Sequence, residues 1–185
     1  MKHTSDSFFE SIIVPSRMVF FMWLLFFLET KFKIDLGFLG VYPRTLYGLA
    51  GIAGMPLVHA SVFHIASNTI PILILGSALY FFYPKIANKV FIQCYFFTSA
   101  LVWIFAKPAN HIGASGVVYG LAAFLILYGW FKKDMKSTFI SAAVLIIYGG
   151  IFLKMIPANP WVSWEAHLLG AVVGAVNAFI LSRNR

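Results

Sequence analysis

The fold class that the sequence predicts is an all-α polytopic membrane protein: a bundle of six transmembrane helices with a partly embedded first loop. Three observations carry that reading. Of the 185 residues, 61% are hydrophobic and only 11% are charged, whereas a soluble domain has about 25% charged residues. Mean hydropathy is +0.85, and a soluble fold of this size cannot hide that much apolar surface. The apolar residues also gather into six stretches, each near the ~20 residues that a helix needs to cross a bilayer. So little polarity excludes a disordered chain. Six spans leave no room for a separate soluble domain, and residues 1–185 read as one membrane domain.

The first span runs roughly from Ile12 to Leu28, with Pro15 near its first turn. The second runs from Pro56 to Phe82, the third from Asn88 to Ala106 and the fourth from Ala114 to Phe131. The fifth runs from Ser137 to Met155 and the sixth from Pro160 to Leu181. Pro56 and Pro160 suit a first helical turn, where the missing N–H costs nothing. Pro84 and Pro108 stand where they block continuation past a helix end. The N-terminal residues, with Asp6 and Glu10, do not look like a cleavable signal peptide, so the first span reads as the insertion signal. The single cysteine, Cys94, cannot form an internal disulfide and reads as a small packing residue of the third span.

The net charge of +8 does not point to nucleic acid, because no basic patch accompanies a soluble fold. With both termini in the cytoplasm, nine of the 14 Lys and Arg residues fall inside and five outside. That is the direction the positive-inside rule favours. The stretch from Glu29 to Met55 is too apolar for a free linker and too rich in glycine for a span. Its natural place is against the bundle, where protein or cavity water satisfies its backbone.

Polar side chains at membrane depth are functional candidates by default, and here they are few. The second span carries His59, His64 and Asn68, the fourth begins with Ser115, and the sixth carries His167. All three spans enter from the outer side, so these residues share one end of the bundle, as a single outward-facing site requires. A transport path would need polar residues along its whole length. His64 and Asn68, four apart, share a helix face; Asn68 is expected ~18 Å along the helix from Pro56, and Pro71 is expected to bend the helix locally. A role as interhelical glue would also fit the histidines and the asparagine. No metal site is expected, because the face lacks a carboxylate or cysteine and no HExxH pattern is present.

Ser115 lies in Gly113-Ala114-Ser115-Gly116 at a helix start. It could be a cap or a packing residue, but the same placement suits a nucleophile. The glycines admit backbone and substrate closely, and the helix N-terminus favours a developing oxyanion. Two histidines compete to be its base. His111 is near in sequence but belongs to the preceding loop, and replacing it is expected to keep most activity. His167 shares a face with the small-residue stripe Gly170 and Gly174, which would pack on Gly113, Gly116 and Gly120. No carboxylate is placed for a triad, since Glu165 points to nearly the opposite face from His167. A Ser–His dyad is the economical assignment, with Tyr119 able to hold the imidazole.

These residues together resemble the rhomboid intramembrane serine proteases. The signatures are His59, His64 and Asn68 at their spacing, Gly113-Ala114-Ser115-Gly116, Tyr119, and Ala166-His167 followed by Gly170 and Gly174. Pro43-Arg44 and Gly48-Leu49 also look like the family's first loop. The resemblance implies Ser115 as nucleophile and His167 as general base. It also implies an oxyanion hole of His64, Asn68 and the Ser115 backbone N–H, His59 in support, and Tyr119 packed on His167. It further implies hydrolysis of single-span membrane proteins near the outer membrane face, no cofactor and no metal, and residence in the lipid bilayer of a bacterial plasma membrane in the short six-span form. A non-catalytic rhomboid-like chaperone or binding protein is the alternative.

Overall fold

The computed structural model describes residues 4–155 and 163–183. Helix α1 spans Thr4–Phe32, α3 Val62–Phe82, α4 Pro84–Phe105, α5 Ser115–Lys132, α6 Met135–Tyr148 and α7 Trp164–Arg183. A single turn, α2, covers Gly51–Gly54, and a 3-10 segment, Gly149–Met155, extends α6. Six of these helices are long and apolar enough to cross a membrane, the 3-10 extension of α6 included. The predicted bundle is thus the observed one.

The ends differ from expectation in instructive ways. The second span starts at Val62 rather than Pro56, because Ser61 caps it by accepting from the His64 N–H at 3.1 Å. His59 is therefore in the preceding loop and not on the helix. Asn68 lies only ~9 Å into α3, not ~18 Å. Pro84 opens α4 at its first position instead of closing α3, so the two helices meet at Tyr83. Pro15 lies well inside α1, where its ring stacks on Gly76 of α3: a Cβ there would fall 2.7 Å from Pro15 Cγ. Glu29 belongs to the last turns of α1 rather than to the loop. The sixth span begins at Trp164, and Pro160 lies outside the described residues, as do Lys2 and Arg185 of the charge comparison.

The turn between α5 and α6 is tight. Lys133 takes a left-handed backbone with φ of 58°, and Asp134 caps α6 by accepting from the Ser137 N–H at 2.9 Å. That hydrogen bond, aided by Ser137 Oγ and Lys132, holds the Asp134 carboxyl below its ordinary pKa. The capping contribution is complete above the normal carboxylate range and is lost as the pH falls through the lowered value. Asp134→Ala is expected to cost about 1 kcal/mol, read as a lower thermal midpoint in detergent at pH 7. An unchanged midpoint would show that the cap contributes nothing.

The first loop packs against the end of α4, as its composition requires. Val41 and Met55 are buried with Val102, Ala106 and Ala166. Backbone polar groups are met by protein: Arg44 N–H donates to Trp103 O at 3.0 Å, and Arg44 Nη1 to Ala106 O at 2.8 Å. Trp103 Nε1 donates to Thr45 O at 2.9 Å and Tyr95 Oη to Ala53 O at 2.6 Å. Arg44 thereby caps the carbonyl end of α4 from another segment.

Helices α5 and α7 form the tightest pair. A Cβ at Gly170 would fall 2.1 Å from Gly116 O, and one at Gly174 would fall 2.0 Å from Gly120 O. Neither helix tolerates a side chain there. The reciprocal positions Gly116 and Gly120 also meet Thr98 and Cys94 of α4, which gives the fully buried Cys94 its packing role. Gly113 is not part of this stripe; it faces His64.

Candidate active site

A cavity of about 630 Å³ opens at the end of the bundle where α3, α5 and α7 begin. His64, Asn68, Ser115, Tyr119 and His167 all line it, together with Ser67, Pro71, Lys107, His111, Ile151 and Ser163. The large apolar side chains elsewhere on the outside of the bundle, such as Phe20, Ile146 and Phe179, are exposed, as a lipid-facing surface should be. His64, Asn68, Ser115 and His167 thus converge at one place.

Ser115 is the first residue of α5, so its N–H is among those without an intrahelical acceptor. The backbone reaches this position through Gly113, whose φ is 108°, a conformation that L side chains rarely adopt. A Cβ there would also collide with the His64 ring, 2.6 Å from Nε2. The backbone conformation requires glycine at 113, and a side chain there would also displace the His64 ring.

His167 lies in the first turn of α7, and Nε2 stands 3.0 Å from Ser115 Oγ. The two helices that carry these groups are held by the glycine stripe below them. The Tyr119 ring stacks on the imidazole, with centroids 4.2 Å apart and planes 5° from parallel. The Tyr119 hydroxyl does not hold the imidazole as an acid would. It donates to Ile151 O at 2.5 Å and so links α5 to the segment after α6. Glu165 is buried, and Lys107 Nζ approaches it at 3.9 Å.

Asn68 is buried, and its Nδ2 donates to His64 O at 2.9 Å, leaving a second amide hydrogen on that nitrogen. The His64 and His59 rings meet edge to face at 4.9 Å. His59 supports the serine loop directly: Nδ1 donates to Leu57 O at 3.3 Å, which leaves Nε2 to accept from Ala114 N–H at 3.3 Å. Burial first, then the neighbouring His64, lowers the pKa of His59 to about 4, so the ring keeps the neutral form that this acceptor role needs. An unfolded chain binds a proton near 6.5 while the folded one does not. Stability therefore falls as the pH drops from about 6.5 to 4, by up to roughly 3 kcal/mol for this group. The thermal midpoint in detergent is expected to drop over that window, and His59→Gln should flatten the slope. An equally steep slope in the variant would remove His59 as its source.

His111, the other candidate base, is buried in the loop before Ser115, and its Nδ1 lies 2.6 Å from Ser163 Oγ. Ser163, Lys107 and Ile151 were not anticipated. A serine just before an apolar helical run is a recognisable cap signal for Ser163. Nothing in the sequence marks the other two.

Fold and cavity together define a polytopic helical membrane protein with a serine and a histidine juxtaposed in a pocket at one end. The chain matches the Rhomboid domain over residues 43–184, and it belongs to the rhomboid family, a family of intramembrane serine proteases. It is also similar to uncharacterized proteins of Mycobacterium tuberculosis and Mycobacterium bovis, each 36% identical over 160 residues, 77% of this chain and 63% of theirs. An uncharacterized protein of Mycobacterium leprae is 33% identical over 184 residues, 88% of this chain and 69% of its own. The chain thus spans a little under two thirds of the first two relatives it matches.

Proposed function

We propose that the protein is an intramembrane serine endopeptidase that cuts single-span membrane proteins near the outer face of a bacterial plasma membrane, with both termini in the cytoplasm. The 3.0 Å contact between His167 Nε2 and Ser115 Oγ inside the cavity carries this reading. Membership of the rhomboid family supports it. Ser115 Oγ attacks the scissile carbonyl carbon while His167 Nε2 takes the hydroxyl proton. The carbonyl oxygen becomes an oxyanion, faced by the Ser115 N–H, the second Asn68 amide hydrogen and the His64 ring. Collapse of this adduct breaks the C–N bond, and His167 returns the proton to the departing amine. Water then enters, His167 takes one of its protons, and the acyl ester is hydrolysed to a carboxylate with Ser115 restored.

A substrate helix must unwind to present its bond, because helical carbonyls already accept hydrogen bonds. Small or helix-breaking residues are therefore expected at the cut. The test is proteolysis of a panel of single-span proteins in liposomes, with cut sites mapped by mass spectrometry and Ser115→Ala as control. Serine-dependent cuts at the outer end of the span are expected. Binding of the spans without any cut would favour a rhomboid-like chaperone, and cuts that persist in Ser115→Ala would contradict the nucleophile.

A further inference from the structure

The geometry points to His111 as a positioning residue that, through Ser163, holds His167 against Ser115. This rests on reading Ser115 and His167 as the hydrolytic pair. His167 occupies the first turn of α7, ahead of the glycine stripe. The N–H groups of a first turn have no intrahelical acceptors, and helix ends open at low free-energy cost. The His167 N–H itself reaches Ser163 O only at 3.4 Å. Something must hold this turn if the imidazole is to stay in reach of the serine.

The anchor is the Ser163 hydroxyl. It accepts from Ala166 N–H at 3.4 Å, as a cap does, and meets His111 Nδ1 at 2.6 Å. His111 Nε2 lies 2.9 Å from Lys107 O. A carbonyl only accepts, so in the neutral ring Nε2 carries the hydrogen and Nδ1 is the acceptor. Ser163 Oγ therefore donates to His111 and accepts from Ala166 at once. His111 is itself immobilised, since its N–H and C=O exchange hydrogen bonds with Val41 at 2.8 and 2.9 Å. His111 is 2% exposed. His111 stands four residues before Ser115, and Ser163 stands four before His167. One hydrogen bond thus joins the two segments that deliver the reacting groups. Lys107 and Glu165 make a second, weaker tie between the same segments. The expectation that His111 is dispensable is revised accordingly.

The experiment is steady-state proteolysis by the full-length protein in detergent with a transmembrane substrate. It compares His111→Ala, His111→Asn, Ser163→Ala, Ser163→Thr and the double variant His111→Ala/Ser163→Ala. A misplaced general base lowers kcat by about 10- to 100-fold, and KM should stay near its original value because no substrate contact is removed. His111→Asn, which keeps an acceptor for Ser163, and Ser163→Thr, which keeps the hydroxyl, should recover most of the rate. The double variant should be no worse than the poorer single one. Ser163→Ala and Ser163→Thr decide the matter if His111→Ala does not fold. Full kcat in Ser163→Ala, losses confined to KM, no rescue by the conservative variants, or fully additive losses would overturn the inference while leaving the hydrolytic pair intact. A wild type without Ser115-dependent cleavage would sink the hydrolytic reading and this inference with it.

Discussion

His167→Ala is expected to lower kcat by at least about 10⁴-fold, the scale on which serine hydrolases lose rate when a member of the nucleophile–base unit is removed. Without the imidazole, Ser115 has no acceptor for its proton at 3.0 Å, and a serine hydroxyl is a weak nucleophile at neutral pH. Two features make the prediction specific. Ser115→Ala/His167→Ala should be no slower than either single variant, because the two groups act as a unit. The loss should also far exceed that of His111→Ala, whose ring is engaged by Ser163 and Lys107 instead of Ser115. Proteolysis rates for the three variants, with thermal midpoints as a folding control, check this. If His111→Ala proved the more damaging in a folded protein, the base would be misassigned.

Gly170→Leu should be among the most destabilising single substitutions in the bundle. Its Cβ alone would fall 2.1 Å from Gly116 O, which is backbone and cannot rotate away. Overpacking a well-filled core costs about 1–3 kcal/mol when side chains can yield, so the cost here is expected at or above about 3 kcal/mol. Helix α7 must then move off α5, which separates His167 from Ser115. The thermal midpoint and the proteolytic rate should fall together. Gly150→Ala is the control, since a Cβ there meets nothing within 4 Å, and it should leave both unchanged. A stable, active Gly170→Leu would show that the close approach of the two helices is not what sets the site.

The bundle was legible because apolar length is the dominant constraint on a membrane-spanning helix. The ends were not, because the segments beside the spans are also apolar. Residues 56–58 read as helix by hydropathy, yet Ser61 starts α3 by capping it, which moves His59 into the loop. Pro84 was ambiguous for a physical reason: the same residue terminates one helix and opens the next, and only the one-residue junction at Tyr83 decides.

Within the site, the meeting of Ser115 and His167 could be read from glycine spacing, because small residues at i and i+4 dictate which helix faces touch. Tyr119 stacks where its place one turn below Ser115 puts it. The Ser163–His111 and Lys107–Glu165 contacts could not be read. They link residues 52 and 58 positions apart through loop geometry that no periodicity encodes.

The most direct measurement is labelling with a fluorophosphonate probe in detergent, with the adduct located by mass spectrometry. The wild type is expected to carry the probe on Ser115, Ser115→Ala to carry none, and His167→Ala to react far more slowly. Labelling that survives Ser115→Ala, or a wild type that cleaves membrane proteins while Ser115 stays unmodified at saturating probe, would contradict a serine activated by the α7 imidazole.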